Sequence, residues 1–353
     1  MTSLSAARIN GILIVLFLMF PLVGMGIDLI APSLPAITHS LGVTPQASKI
    51  LIAIYLLGNC LGNVFSGFSS DSWGRRYLAL SGLLGFTIFS IVPVMLPTLP
   101  VLFLARFFQG FCLAMASVLA RTIMSDILVE KRLVQIIPMI STVWGIGPII
   151  GPVIGGYLQY YFDWQACFYF FAAYGLILFV LFLSFLPETH HQRQPLHLKI
   201  AWGAVREMLS HRIFLGSILV MGWIYSLMII FNTLGPFLVQ VTFHHTPVYF
   251  GHAALCMGIA YLLGTIVCRQ LLKVWKWEQV FLLGFGMSVS MTFLLLLLVW
   301  MFPQGLLLLV IFSTIIFFAC GLIFPSVMSR GFVLFRHYAG KASAIINLLM
   351  VLS

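Results

Sequence analysis

The stretch ILIVLFLMFPLVGMGIDLIAPSLP, from Ile12 to Pro35, decides the fold. An apolar run of this length crosses a bilayer as a helix, since about 20 residues rising about 1.5 Å each span the hydrocarbon. Near its far end stands Asp28, the one carboxylate placed well inside an apolar segment. The other acids, Asp71, Asp126, Glu130, Asp163, Glu188, Glu207 and Glu278, all fall in or beside polar connections. An ionised side chain at the bilayer centre costs about 2.5 to 3.5 kcal/mol on the lenient insertion scale, so such a group normally faces a cavity or a partner. Asp28 is therefore predicted to be a proton or cation site. The competing reading is a polar group that stabilises a kink one turn before Pro32.

Outward from this stretch the same pattern repeats. Of 353 residues, 61% are hydrophobic and 7% charged, too little polar surface to cover a soluble globule. The chain is predicted to be an all-α polytopic membrane protein. A formal charge of +10 raises the possibility of nucleic acid, but a nucleic-acid surface gathers its charge on one folded face. Here the basic residues recur in short connections between apolar runs. No nucleic-acid partner is expected; the partners are the lipid bilayer and a small molecule, and the chain is expected to be a monomer. Cys60, Cys112, Cys167, Cys256, Cys268 and Cys320 lie in or beside apolar runs without framework spacing, so free thiols and no metal site are expected. The first run contains Asp28 and lacks a small-residue cleavage site, which favours an uncleaved span over a signal peptide.

Apolar runs place spans near Asn10–Ser33, Ala47–Phe68, Tyr77–Met95, Pro100–Ile123, Val134–Leu158 and Cys167–Leu186, then Ile213–Val239, Tyr249–Cys268, Val280–Phe302 and Leu306–Met328. A last run from Ala342 to Ser353 has about half the length needed to cross. The predicted organisation is a six-helix bundle at residues 1–190, a central loop at 191–212, and a second bundle at 213–353 shortened within its eleventh helix, about 10.5 spans in all. Arg75 and Arg76, Lys131 and Arg132, the central loop, Arg269 with Lys273 and Lys276, and Arg330 with Arg336 and Lys341 occupy alternate connections; Lys49 is the exception. The N-terminus and the central loop are accordingly expected in the cytoplasm. Two sets of six is the pattern of pseudo-repeated transporters, whose site lies near the midplane.

Three motifs carry chemistry. The turn after the second span, Gly67-Phe68-Ser69-Ser70-Asp71-Ser72-Trp73-Gly74-Arg75-Arg76, combines a small residue suited to a close helix approach, an acid one turn on, and paired arginines, the makings of a charge clamp. An ordinary positively charged turn is the plainer reading. In the fourth span Arg106 precedes Phe107, Phe108, Gln109 and Gly110. Arg106 lies about six residues inside its outer edge and Asp28 about five, or about 7 to 9 Å each, so the two can stand at similar depth. Alternatively, Arg106 snorkels to the interface. In the fifth span Gly147, Gly151, Pro152, Gly155 and Gly156 permit close helix packing around a proline bend.

The turn closely resembles the signature loop of the major facilitator superfamily, and Arg106-x-x-Gln109-Gly110 resembles a second motif of that family. The glycine run resembles the motif of its drug:proton antiporters. Together with Ile27-Asp28-Leu29-Ile30-Ala31-Pro32, Ala120-Arg121-Thr122-Ile123-Met124-Ser125-Asp126 and Gly321-Leu322-Ile323-Phe324-Pro325, they make the chain similar to the Bcr/CflA group of twelve-helix bacterial exporters. That resemblance implies the major facilitator fold and residence in the bacterial inner membrane. It also implies proton coupling through Asp28 and Arg106, and a conformational latch of Gly67, Asp71, Gly74, Arg75, Arg76 and Asp126. Two departures stand out: Ser72 occupies a usually basic latch position, and Phe20 occupies the place of a second acid found in some relatives, which argues against cationic drugs as cargo.

Tyr55, Asn59, Gln109, Trp223 and Asn232 are candidates for a substrate cavity, with helix packing as the alternative for each. No nucleophile elbow, P-loop or His-Glu-x-x-His occurs, so no enzyme and no cofactor beyond the coupling proton is expected. The expected function is small-molecule export, of drugs or antibiotics. An endogenous metabolite or siderophore as cargo is the alternative, and a shortened, non-transporting remnant a further one.

Overall fold

The computed structural model describes residues 6–128, 130–189, 212–301 and 305–334. Its elements are helices α1 (Ala6–Asp28), α2 (Leu34–Leu41), α3 (Pro45–Trp73), α4 (Arg75–Met95), α5 (Leu99–Ile127), α6 (Glu130–Phe162), α7 (Gln165–Phe185), α8 (Arg212–Phe237), α9 (Pro247–Leu271), α10 (Trp277–Met301) and α11 (Leu306–Leu334). Among the described residues nine stretches are long and apolar enough to cross a membrane, with α1 and α2 forming one of them, Arg8–Leu41. At 33 residues α6 also exceeds the length needed. The expected half-span from Ala342 and, but for Arg212, the expected central loop at 191–212 lie outside the described residues. The chain divides into two compact units, Met1–Leu198 and Lys199–Ser353, the division falling inside that central stretch.

Most helices run past the edges of the hydrophobic pattern because backbone hydrogen bonding does not stop where lipid does. Thr44 and Thr246 cap α3 and α9, each side chain accepting a backbone N–H three residues on at 3.3 Å, with Pro45 and Pro247 starting the helix. Gly42 ends α2 at φ 61°, in the left-handed region that glycine adopts without strain.

The first span departs from its prediction. It reaches Leu41 rather than Ser33, and it is broken: α1 stops at Asp28, a turn and a 3₁₀ segment at Ala31–Ser33 follow, and α2 completes the crossing. Pro32 explains the break, since it has no N–H to offer the carbonyl four residues back, which is that of Asp28. Asp28 therefore stands farther from the end of its span than the apolar run alone indicated.

Within the first unit α1 packs on α6, α5 lies between α3 and α4, and α4 packs on α7. In the second unit α11 is the centre, with α8, α9 and α10 against it. Its α10 buries only the stripe Val280, Gly284 and Ser288, spaced four residues apart, while Phe293 and Leu296 on other faces are 70% and 65% exposed. An apolar helix with one small-residue stripe suits a lipid neighbour on its remaining faces.

The two units repeat a contact. In the first, a methyl group on Gly58 would overlap the carbonyl of Phe107, and one on Gly110 the carbonyl of Tyr55. In the second, Gly264 stands likewise against the carbonyl of Phe318, and Gly321 against that of Tyr261. The sequence carries the same relation: Tyr55-Leu56-Leu57-Gly58 matches Tyr261-Leu262-Leu263-Gly264, and Phe107-Phe108-Gln109-Gly110 aligns with Phe318-Ala319-Cys320-Gly321. Arg106 then falls opposite Phe317, so the repeat is structural while the charge belongs to one half only.

Candidate functional site

Three helices converge on the break in the first span. Gly151 of α6 lies against it so closely that an added Cβ would stand 3.2 Å from the Leu29 nitrogen and 3.3 Å from Cβ of Asp28. Gly147 abuts Pro21 and Gly24 of α1, and Gly155 abuts the Leu29 carbonyl. The glycine run thus seats α6 on the turns of α1 that lead to and contain Asp28. Pro152 and Gly156 are buried, and α6 remains helical through Pro138, Pro148 and Pro152.

From the other side comes Arg106 of α5, fully buried. Its Nη2 donates to the carbonyl oxygen of Gly26 at 2.7 Å, its Nη1 donates to Oε1 of Gln109 at 3.1 Å, and its Cζ lies 4.2 Å from the centre of the Tyr55 ring. Gln109 Nε2 donates to Ser90 Oγ of α4 at 2.8 Å, and Ser90 Oγ donates to the Phe86 carbonyl at 2.7 Å. A guanidinium in an apolar interior needs such partners, and cation–π contact with tyrosine adds to them. Arg106 Nε and the Tyr55 hydroxyl have no hydrogen-bond partner among the described residues. The Arg106 guanidinium over the Tyr55 ring is thus held at the backbone of Gly26, two residues before Asp28. Asp28 itself is only partly buried.

Two predicted cavity residues take other places. Tyr55 and Gln109 are enclosed, 2% and 0% exposed, because they hold Arg106; they do not line open space in this conformation. Asn59 is partly exposed and accepts the side-chain amide of Asn63 at 2.9 Å. In the second unit Trp223 is partly buried with its ring 5.5 Å from that of Phe285, and Asn232 is buried. Ser90 and the Gly26 carbonyl escaped the sequence reading, since a serine and a backbone oxygen carry no motif; the signal for Ser90 lies only in its being a polar residue deep in an apolar span.

The turn between α3 and α4 is a single residue, Gly74, at φ 94°, where a side chain would be strained. Arg75 forms an ion pair with Asp126 near the end of α5, and Thr189 Oγ1 donates to the same carboxylate oxygen at 2.6 Å. Arg76 Nη2 donates to the Leu183 carbonyl of α7 at 2.8 Å. Glu188, predicted only as part of the central polar stretch, caps α4: its Oε1 accepts from the Arg75 backbone N–H at 3.1 Å and its Oε2 from that of Arg76 at 3.3 Å. A carboxylate at a helix N-terminus meets both orphan donors and the positive end of the helix dipole. Gly67 differs from expectation: nothing described lies within 4 Å of where its Cβ would stand, and the close approach falls instead at Gly58 and Gly62, against α5. The side chain of Asp71 lies outside the described residues.

Two repeated helical bundles, membrane-crossing helices and a buried arginine bonded to the backbone beside a broken helix are the parts of a multi-pass membrane transporter rather than an enzyme. The chain matches the Major Facilitator Superfamily over residues 16–353 and belongs to that family. It is similar to the multidrug resistance protein MdtL of Shewanella oneidensis, 28% identical over 275 residues, which are 78% of this chain and 68% of that one. A bicyclomycin resistance protein homolog of Haemophilus influenzae is 30% identical over 177 residues, 50% of this chain and 44% of the relative. The chloramphenicol resistance protein CraA of Acinetobacter baumannii is 25% identical over 349 residues, 95% and 83% of the two chains. Among solved structures, the D-xylose-proton symporter superposes with a TM-score of 0.76 at 16% identity over 98% of this chain and 88% of that one, a likeness of fold.

Proposed function

We propose that this protein is a proton-coupled exporter that exchanges inward-moving protons for an outward-moving small molecule, with drugs or antibiotics as the first class of cargo. The observation that carries the reading is Asp28 at the break in the first span, seated on Gly151 and two residues from the carbonyl that anchors Arg106. A carboxylate at a helix break can change its surroundings by small rotations of α2 against α1, and it stands two residues from the backbone carbonyl that holds Arg106. Protonation on one side and release on the other then toggles the cluster between a neutral and an ionised acid. The clamp of Arg75, Asp126 and Glu188 at the opposite end of α4 and α5 serves as the latch for one of the two conformations.

The energetics suffice. One proton moving down about 150 mV releases about 3.5 kcal/mol, enough for a gradient of about two to three decades. The relatives' names support drug cargo, and Phe20 in place of an acid favours neutral or anionic molecules, which keeps an endogenous metabolite or siderophore as the second reading. The protein on this reading lies in the bacterial inner membrane with its N-terminus in the cytoplasm, acts as a monomer, and uses no cofactor but the proton. The test is proton release from inverted membrane vesicles on adding chloramphenicol, bicyclomycin or a siderophore. Release that the wild type shows and Asp28→Asn abolishes supports the reading; release that survives the substitution removes Asp28 as the carrier.

A further inference from the structure

Besides Arg106, α5 projects a second arginine toward α1. Arg121 stands about four turns further on and about 60° round the helix, close to the same face. Its Cζ lies 6.0 Å from the centre of the Phe20 ring, which is wholly buried in α1. The guanidinium therefore points into the protein rather than into lipid, and a snorkelling arginine does not explain it. Among the described residues its enclosed Nε has no hydrogen-bond partner and no carboxylate pairs with it. The side chain as a whole stays partly exposed.

The contrast with Arg106 is chemical. Among the described residues Arg106 has a carbonyl, an amide oxygen and a tyrosine ring, whereas Arg121 has one phenyl ring at the outer range of cation–π contact. Among the described residues, the interior of the first unit's spans thus holds one carboxylate, Asp28, and the two guanidinium groups of Arg106 and Arg121. Arg121 is only partly exposed and its Nε is enclosed, and its planar fork of donors suits a carboxylate.

Resting on the exporter reading above, we propose that Arg121 is an anion-recognition residue and that the cargo class includes small molecules bearing a carboxylate, which pairs with its guanidinium beside the Phe20 ring. The test compares chloramphenicol with chloramphenicol succinate, which adds a carboxylate to the same scaffold. Proton release from inverted vesicles containing the full chain is read over a concentration series of each. In Arg121→Gln the half-saturating concentration for the succinate should rise about tenfold relative to that for chloramphenicol, the size of a lost charge-assisted hydrogen bond, and Arg121→Lys should recover most of it. Phe20→Glu, which sets a carboxylate opposite the guanidinium, should shift the ratio the same way and tests the idea should the glutamine variant fail to fold. An unchanged ratio in either variant overturns the proposal, as does a wild type that responds to chloramphenicol and not to its succinate; in both cases the exporter reading stands. A wild type that responds to neither overturns this inference, and the exporter reading is then decided by bicyclomycin and a siderophore in the same vesicles.

Discussion

Arg106 donates to the carbonyl oxygen of Gly26 across 2.7 Å, two residues before Asp28, so the cation of α5 is tied to the backbone of α1 just where that helix ends. A side chain bonded to main chain reports movement of the whole segment. Any rearrangement of the break in the first span is then felt by Arg106, and through Gln109 and Ser90 by α4.

Replacing Arg106 by lysine should therefore disable coupling although the charge is kept. A lysine cannot reach the Gly26 carbonyl and the Gln109 amide with a fixed fork, and one lost charge-assisted bond is worth about 1.5 to 3 kcal/mol. The expected outcome is a loss of substrate-driven proton release of at least about tenfold, measured in vesicles matched for protein content.

Glycine positions that look alike in sequence should separate by stability. Gly110→Ala drives a methyl group into the Tyr55 carbonyl and Gly321→Ala one into the Tyr261 carbonyl, at a cost of about 1 to 3 kcal/mol. Gly67→Ala meets no described atom. Thermal unfolding in detergent should show a lowered midpoint for the first two and little change for the third; equal effects at all three would contradict the packing described.

The Arg75 and Asp126 pair, with side chains 12% and 25% exposed, should behave as a coupled unit. Arg75→Ala and Asp126→Ala are each expected to weaken the clamp, and the double variant to be less damaged than the sum, with a coupling of about 1 kcal/mol in a double-mutant cycle. Additive effects would show that the two side chains act separately.

Glu188→Ala removes the acceptor for two backbone N–H groups at the start of α4. The loss should be about 1 kcal/mol of stability, the usual worth of a helix cap. Glu188→Gln, which keeps an acceptor and drops the charge, should recover part of it; hydrogen exchange at Arg75 and Arg76 is the direct measurement.

Much of this was legible in the chain itself. Of the ten spans that apolar runs marked, nine coincide with stretches long and apolar enough to cross a membrane among the described residues, because a bilayer demands continuous apolar length and self-satisfied backbone, a condition that leaves its imprint on consecutive residues. Asp28 and Arg106 stood out for the same reason, as charges where charge is expensive. The internal repeat of Tyr-Leu-Leu-Gly at Tyr55 and Tyr261 was also present in the letters, but four residues acquire meaning only when their glycines are seen against the carbonyls of a neighbouring helix.

Other features had no local signature. That Gln109 and Tyr55 face Arg106 rather than a cavity, that Ser90 completes the chain of bonds, and that Glu188 caps α4 from more than a hundred residues away all depend on which helix faces are brought together. Sequence by itself determined where the chain crosses the membrane and which side chains are too costly to be idle there, since both follow from transfer into lipid residue by residue. Only the tertiary structure decided which of those side chains meet, because hydrogen-bond partners and steric contacts between helices are fixed by rotation and register, and neither is written in the hydropathy of a single span.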